Sequence, residues 1–142
     1  MSIQDRILGA WELISFVGYR PDGAEISPMG RQASGSLVYA PGYVSANLSR
    51  GDRVRNAPDT MFHNLADADL ALVARGYMAY SGPYAIDEER AVITHDFRMC
   101  IDPALIGTVQ ERHVRFLDDK LELSVRAAAG VALPSTLVWR RA

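Results

Sequence analysis

Turn-forming steps divide this chain into short runs in which apolar and polar residues alternate, and that pattern constrains the fold more than any other feature. Pro21-Asp22-Gly23, Pro41-Gly42, Gly82-Pro83 and Asp118-Asp119 punctuate it. Pro presets φ, and Gly supplies positive φ at no steric cost. Alternation between such punctuation marks predicts half-buried strands of an all-β domain. The expected strands are 9–19, 35–40, 43–49, 84–87, 91–100, 109–117, 120–127 and 135–141. Asp87–Arg90 joins one adjacent pair as a turn, and Ile3–Leu8 is a short amphipathic lead-in. Arg50–Pro58 is a polar loop. Eight antiparallel strands in meandering order predict an up-and-down β-barrel, whose interior is either filled by side chains or holds one small ligand.

One helix interrupts the series after the third strand, over 64–80. Asn64 is its expected N-cap, with Asp67 and Asp69 in the first turn, where the helix dipole favours negative charge. Ala66, Leu70, Val73, Tyr77 and Tyr80 form one apolar stripe, and Gly82-Pro83 ends the segment. That stripe is expected to cover the barrel mouth or flank.

The 142 residues allow a single domain spanning 1–142, with no linker or repeat. Fourteen Arg and the single Lys120 are scattered among 17 acids for a net charge of −2, which argues against nucleic acid as a partner. No apolar run has the length of a membrane span, and the first ten residues lack a signal-peptide apolar stretch. With Cys100 the sole cysteine, no internal disulfide forms, so a cytoplasmic location is expected. His63, His95 and His113 lack metal-ligand spacing, and no Gly-rich loop opens a helix after a strand. No metal or cofactor is expected.

Alternation also predicts which residues face the interior. On 91–100 the more apolar face is Ile93, His95, Phe97 and Met99, and on 109–117 it is Gln110, Arg112, Val114 and Phe116. Tyr84 and Ile86 point inward, and Trp11, Leu13, Ser15 and Val17 share one face of the first strand. His95 inside an apolar cavity is suited to hold a ligand carbonyl or hydroxyl, or to act as general acid or base. Arg112 is suited to a carboxylate or enolate. His95, Tyr84 and Arg112 are the catalytic candidates. Tyr39, Ser45, Tyr77, Tyr80, Phe97, Met99 and Phe116 are candidates for lining the ligand site, with Ser15 and Asn47 as lesser ones. Each has a plain alternative in core packing or structural pairing, most heavily weighted for the tyrosines and for Arg112. Cys100 and His95 lie an odd number of residues apart, so on one strand they would face opposite sides.

Six ordered segments carry a family resemblance. They are Leu8-Gly9-Ala10-Trp11-Glu12-Leu13, Gly35-Ser36-Leu37-Val38-Tyr39 and Pro41-Gly42-Tyr43-Val44-Ser45, followed by Gly76-Tyr77-Met78-Ala79-Tyr80 with Gly82-Pro83-Tyr84. Val92-Ile93-Thr94-His95 and Leu137-Val138-Trp139-Arg140 complete the set. Together they resemble the lipocalin-like domain family of small bacterial and fungal proteins. The resemblance implies an eight-stranded barrel whose closed end is plugged by Trp11, under Arg140 or Arg141. It implies binding of a hydrophobic small molecule, with relatives in polyketide- or terpenoid-like biosynthesis and barrels of this kind acting as cofactor-free cyclases or isomerases. The family's Tyr-rich segment and Thr-His pair map onto Tyr77, Tyr80, Tyr84 and His95. Arg98-Met99-Cys100-Ile101-Asp102 departs from the more usual Gly/Ser-rich stretch. Three readings stay open: a carrier for a hydrophobic metabolite, a cofactor-free enzyme of secondary metabolism, and an inert module, as monomer or homodimer. An α+β cone would need a longer N-terminal helix.

Overall fold

A computed structural model describes residues 1–53, 55–128 and 133–142. In chain order the elements are helix α1 (Ile3–Ile7), strands β1 (Gly9–Tyr19), β2 (Glu25–Ile26), β3 (Ser34–Ala40) and β4 (Tyr43–Ser49), then helix α2 (Asp67–Arg75). There follow β5 (Tyr77–Asp87), β6 (Val92–Asp96), β7 (Met99–Cys100), β8 (Val109–Leu117), β9 (Lys120–Val125) and β10 (Ser135–Arg141). Strand order is β10-β9-β8-β6-β5-β4-β3-β1, and β10 pairs back onto β1. The result is a closed eight-stranded antiparallel barrel. The two-residue strands β2 and β7 attach to β1 and β5.

The expected helix is cut short. Gly76 caps α2, its N–H donating to the Leu72 and Val73 carbonyls. Beyond it Tyr77 to Pro83 pair with Ser49 to Tyr43, so Tyr77 and Tyr80 belong to β5. Seven ladder positions outweigh a helical periodicity that a Tyr pair three residues apart mimics. Asn64 lies in a 3-10 turn, and Ala66 takes the N-cap position without a side-chain hydrogen bond. The stripe of Ala66, Leu70 and Val73 covers little: α2 has no buried residue and packs lightly on β5.

Two one-residue irregularities re-aim side chains. On β1, Leu13 faces Trp139 while Ser15 faces Val138, a bulge that turns Phe16 inward and moves Ser15 and Val17 to the outer face. The other separates β6 from β7. Tyr84 pairs with His95, yet Tyr80 pairs with Cys100, one residue more than regular antiparallel pairing allows. The chain crosses close to β5 here. A Cβ on Gly82 would stand 1.7 Å from the Asp96 carbonyl oxygen, so only glycine fits.

One end of the barrel is sealed. Ser2 caps α1 by accepting from the Asp5 N–H, and Ile7 is completely buried. Trp11 Nε1–H donates to the Ile7 carbonyl at 2.8 Å, and the Arg141 guanidinium lies 3.9 Å over the Trp11 ring. Arg141 also donates to the Arg6 and Leu8 carbonyls. Gly9 permits this clasp: its φ is +114°, and a Cβ there would sit 2.9 Å from Arg141 Nη1. Arg140 points outward to Glu12, so of the two expected candidates it is Arg141 that covers Trp11.

Exposure of the inward-facing residues rises away from that seal. Along β4 it is 0% at Val44, 4% at Ala46 and 8% at Leu48. Leu121 and Leu123 of β9 are buried, whereas Val125 is partly exposed. The inward Leu13, Phe16, Met78, Val114 and Leu137 are likewise only partly buried. The interior is therefore packed at the α1 end and accessible toward the end where β4 passes into β5.

Candidate functional site

His95, on the inner face of β6, is wholly buried, and each ring nitrogen meets a tyrosine hydroxyl. Tyr39 Oη of β3 stands 2.7 Å from Nε2, and Tyr80 Oη of β5 stands 2.8 Å from Nδ1. Inward alternation on three different strands brings the trio together. The Tyr80 ring stacks on Phe97, centroids 4.0 Å apart, and Tyr84 meets Tyr39 edge-on at 5.0 Å. Tyr84 is tethered to the sealed end by Gln4, whose Nε2 donates to its hydroxyl at 3.0 Å. Arg112 of β8 lies opposite Ile93, with its charge felt by His95, Tyr39 and Tyr80.

The electrostatics follow from that placement. Burial, reinforced by the Arg112 charge, pushes the His95 pKa down to about 3, so the imidazole is neutral at physiological pH. Burial raises Tyr39 well above the ordinary phenol value, with Tyr80 adding to the shift. Burial also raises Tyr80, while Arg112 opposes the rise. All three groups are thus uncharged hydrogen-bonding groups in an apolar wall. A base whose conjugate acid has a pKa of about 3 is weak near neutral pH.

Of the residues expected to form the site, the structure gathers His95, Tyr39, Tyr80, Tyr84, Phe97 and Arg112. It does not gather the others. Ser45 alternates with the buried Val44 and Ala46 and lies on the outer face opposite Val38 and Ser81. Tyr77 is also outside, its hydroxyl donating to Asn47 Oδ1 at 2.9 Å and its ring under Arg53. Met99 is 66% exposed, because the extra residue between β6 and β7 reverses its facing. Phe116 faces inward but belongs to the sealed end, where Arg6 lies 3.9 Å over its ring. The same extra residue puts Cys100 on the inner face with His95, contrary to the odd-spacing expectation, and brings it close enough to influence Tyr80. Alternation alone does not reveal this. Among the described residues no group of three or more His, Cys, Asp or Glu is arranged to hold a metal ion. No helix among them is long and apolar enough to cross a membrane.

Comparison with known proteins places this geometry in context. The 4'-hydroxy-3'-methoxypropiophenone carrier protein ppsC of Aspergillus oryzae is 34% identical over 84 residues, which span 53% of this chain and 76% of that protein. Two solved structures align over almost the whole chain. A lipocalin-like protein from Bacteroides uniformis has 14% identity and a TM-score of 0.49, covering 96% of this chain and 99% of that one. The fluorescent protein UnaG has 13% identity and a TM-score of 0.43, covering 99% and 100%. Residues 8–142 match the family described as the lipocalin-like domain, and the chain belongs to that family.

Proposed function

We propose that the protein binds one small, mostly apolar molecule in the accessible part of its barrel, oriented by the His95–Tyr39–Tyr80 cluster. The observation that carries this reading is a neutral, fully desolvated imidazole held on the barrel's inner face by two tyrosine hydroxyls, of which Tyr80 is the partly exposed one. A few convergent polar groups in an apolar wall are the usual composition of a small-molecule site. The carrier relative named for an aryl ketone supports the same class of ligand, and a non-catalytic carrier of such a metabolite is the reading we favour. Titration with 4'-hydroxy-3'-methoxypropiophenone and related aryl ketones, followed by calorimetry, tests it. Saturable one-site uptake is expected. No uptake across those ketones and a panel of apolar polyketide- and terpenoid-like metabolites refutes it.

A second reading is a cofactor-free cyclase or isomerase acting on a polyketide- or terpenoid-like biosynthetic intermediate. The Arg112 charge beside Tyr80 favours it, since such a pair is able to polarise a carbonyl and stabilise developing negative charge. The barrel would then hold one reactive conformer. The depressed basicity of His95 weighs toward binding alone. Turnover unaffected by His95→Ala, Tyr84→Phe and Arg112→Ala would remove these three from any catalytic role.

A further inference from the structure

A hydrogen inventory of the cluster shows what kind of atom it is built to meet. A neutral imidazole has one N–H and one bare nitrogen. The two tyrosine hydroxyls and that N–H hold three donor hydrogens, and only two contacts join them. One hydroxyl hydrogen is therefore always left over, whichever tautomer His95 adopts.

Geometry decides which one. Tyr39 is 2% exposed, and His95 is its hydrogen-bond partner among the described residues. If Nε2 carried the hydrogen, the Tyr39 hydrogen would be stranded where neither water nor ligand reaches it, a costly arrangement. Tyr39 thus donates to Nε2, and Nδ1–H donates to Tyr80 Oη. Tyr80 Oη then accepts from Nδ1–H, and its own hydrogen is unspent. Tyr80 is also the more accessible of the two tyrosines. A separate observation points the same way. Trp139, 2% exposed and part of the same core as Tyr39 and Tyr80, has a buried Nε1–H without a partner among the described residues. A second donor hydrogen of the interior thus also lacks an acceptor among the described residues.

We propose that the interior selects molecules bearing a carbonyl-type acceptor oxygen, which receives the spare hydroxyl hydrogen of Tyr80. This rests on the luminal-binding reading and adds the chemical class of the ligand. Tyr80 is accordingly the specificity-determining residue, while His95 and Tyr39 are positioning residues that fix which way its hydroxyl points. An aryl ketone suits the site, whereas the same skeleton with CH2 in place of C=O leaves the donor unmet.

Two measurements test this. The first compares propiophenone with propylbenzene by calorimetry, on the wild type and on Tyr80→Phe. The wild type is expected to favour the ketone by at least about fivefold, the size of one net hydrogen bond, and the variant to lose that preference. The second is the 15N spectrum of His95 in the unliganded protein, expected to show hydrogen on Nδ1 and a bare Nε2. Equal binding of both compounds by the wild type overturns the proposal and leaves luminal binding standing. Binding of neither overturns both. Hydrogen on Nε2 overturns the assignment to Tyr80, and a doubly protonated ring overturns the inventory itself. If Tyr80→Phe fails to fold, the wild-type ketone preference and the 15N spectrum decide.

Discussion

Replacing His95 by glutamine separates the cost of burying an imidazole from everything else that titrates. Glutamine offers the two tyrosines one donor and one acceptor but cannot ionise. In the unfolded chain His95 takes up a proton near 6.5, in the folded barrel only near 3. Between those values the unfolded state binds more protons, so the residue opposes folding increasingly as pH falls from 6.5 and contributes no penalty above it. From about pH 7 to about pH 5 the wild type is expected to lose about 2 kcal/mol through this group, at 1.36 kcal/mol per pH unit below the unfolded pKa. Urea unfolding of both proteins at several pH values measures it. Carboxylates and the milder downward shift of His113 act equally in both and cancel in the difference. The stability difference between wild type and His95→Gln should therefore move by that amount in favour of the variant on acidification. Parallel pH profiles would refute a buried neutral imidazole, and with it the cluster as drawn.

Other consequences follow from close contacts. Gly82→Ala places a methyl against the Asp96 backbone and is expected to destabilise the barrel by about 3 kcal/mol, read from a shift in urea midpoint at unchanged slope. Arg141→Ala removes the cover on Trp11 and two hydrogen bonds to carbonyls. A loss of about 2 kcal/mol in thermal or urea unfolding is expected, with a red-shifted Trp emission as water reaches the sealed end. Met99→Ser and Tyr77→Phe alter outer-face residues and should leave aryl ketone affinity unchanged in calorimetry. A large loss in either would place the ligand outside the barrel.

The barrel was readable in the sequence because each strand buries one face and turns mark its ends. Ile93 and Phe97 are buried on the face that alternation predicts. Inward His95 was readable for the same reason, since its neighbours Ile93 and Phe97 are apolar at the same parity. What alternation does not register is a single inserted residue. The bulge after Leu13 separates Ser15 and Val17 from the face of Trp11 and Leu13, and the extra residue before β7 inverts Met99 and Cys100. Nothing local marks either irregularity, except that Gly82 is the one position at which a chain crossing that close to β5 is possible. Tyr77 and Tyr80 were misplaced on a helix because a three-residue spacing fits that period, while the ladder to β4 is a long-range fact.

The seam between β1 and β10 joins residues as far apart as Arg140 and Glu12, 128 positions distant in sequence. Closure is therefore the latest step the topology permits: until the final strand arrives, β1 and β9 each present a bare edge of unpaired amides. A nascent chain that has made every other strand is still an open curved sheet, sticky on two sides. The Arg141 clasp across Trp11 latches that last strand, so the residue that caps the plug also ends the period of greatest aggregation hazard.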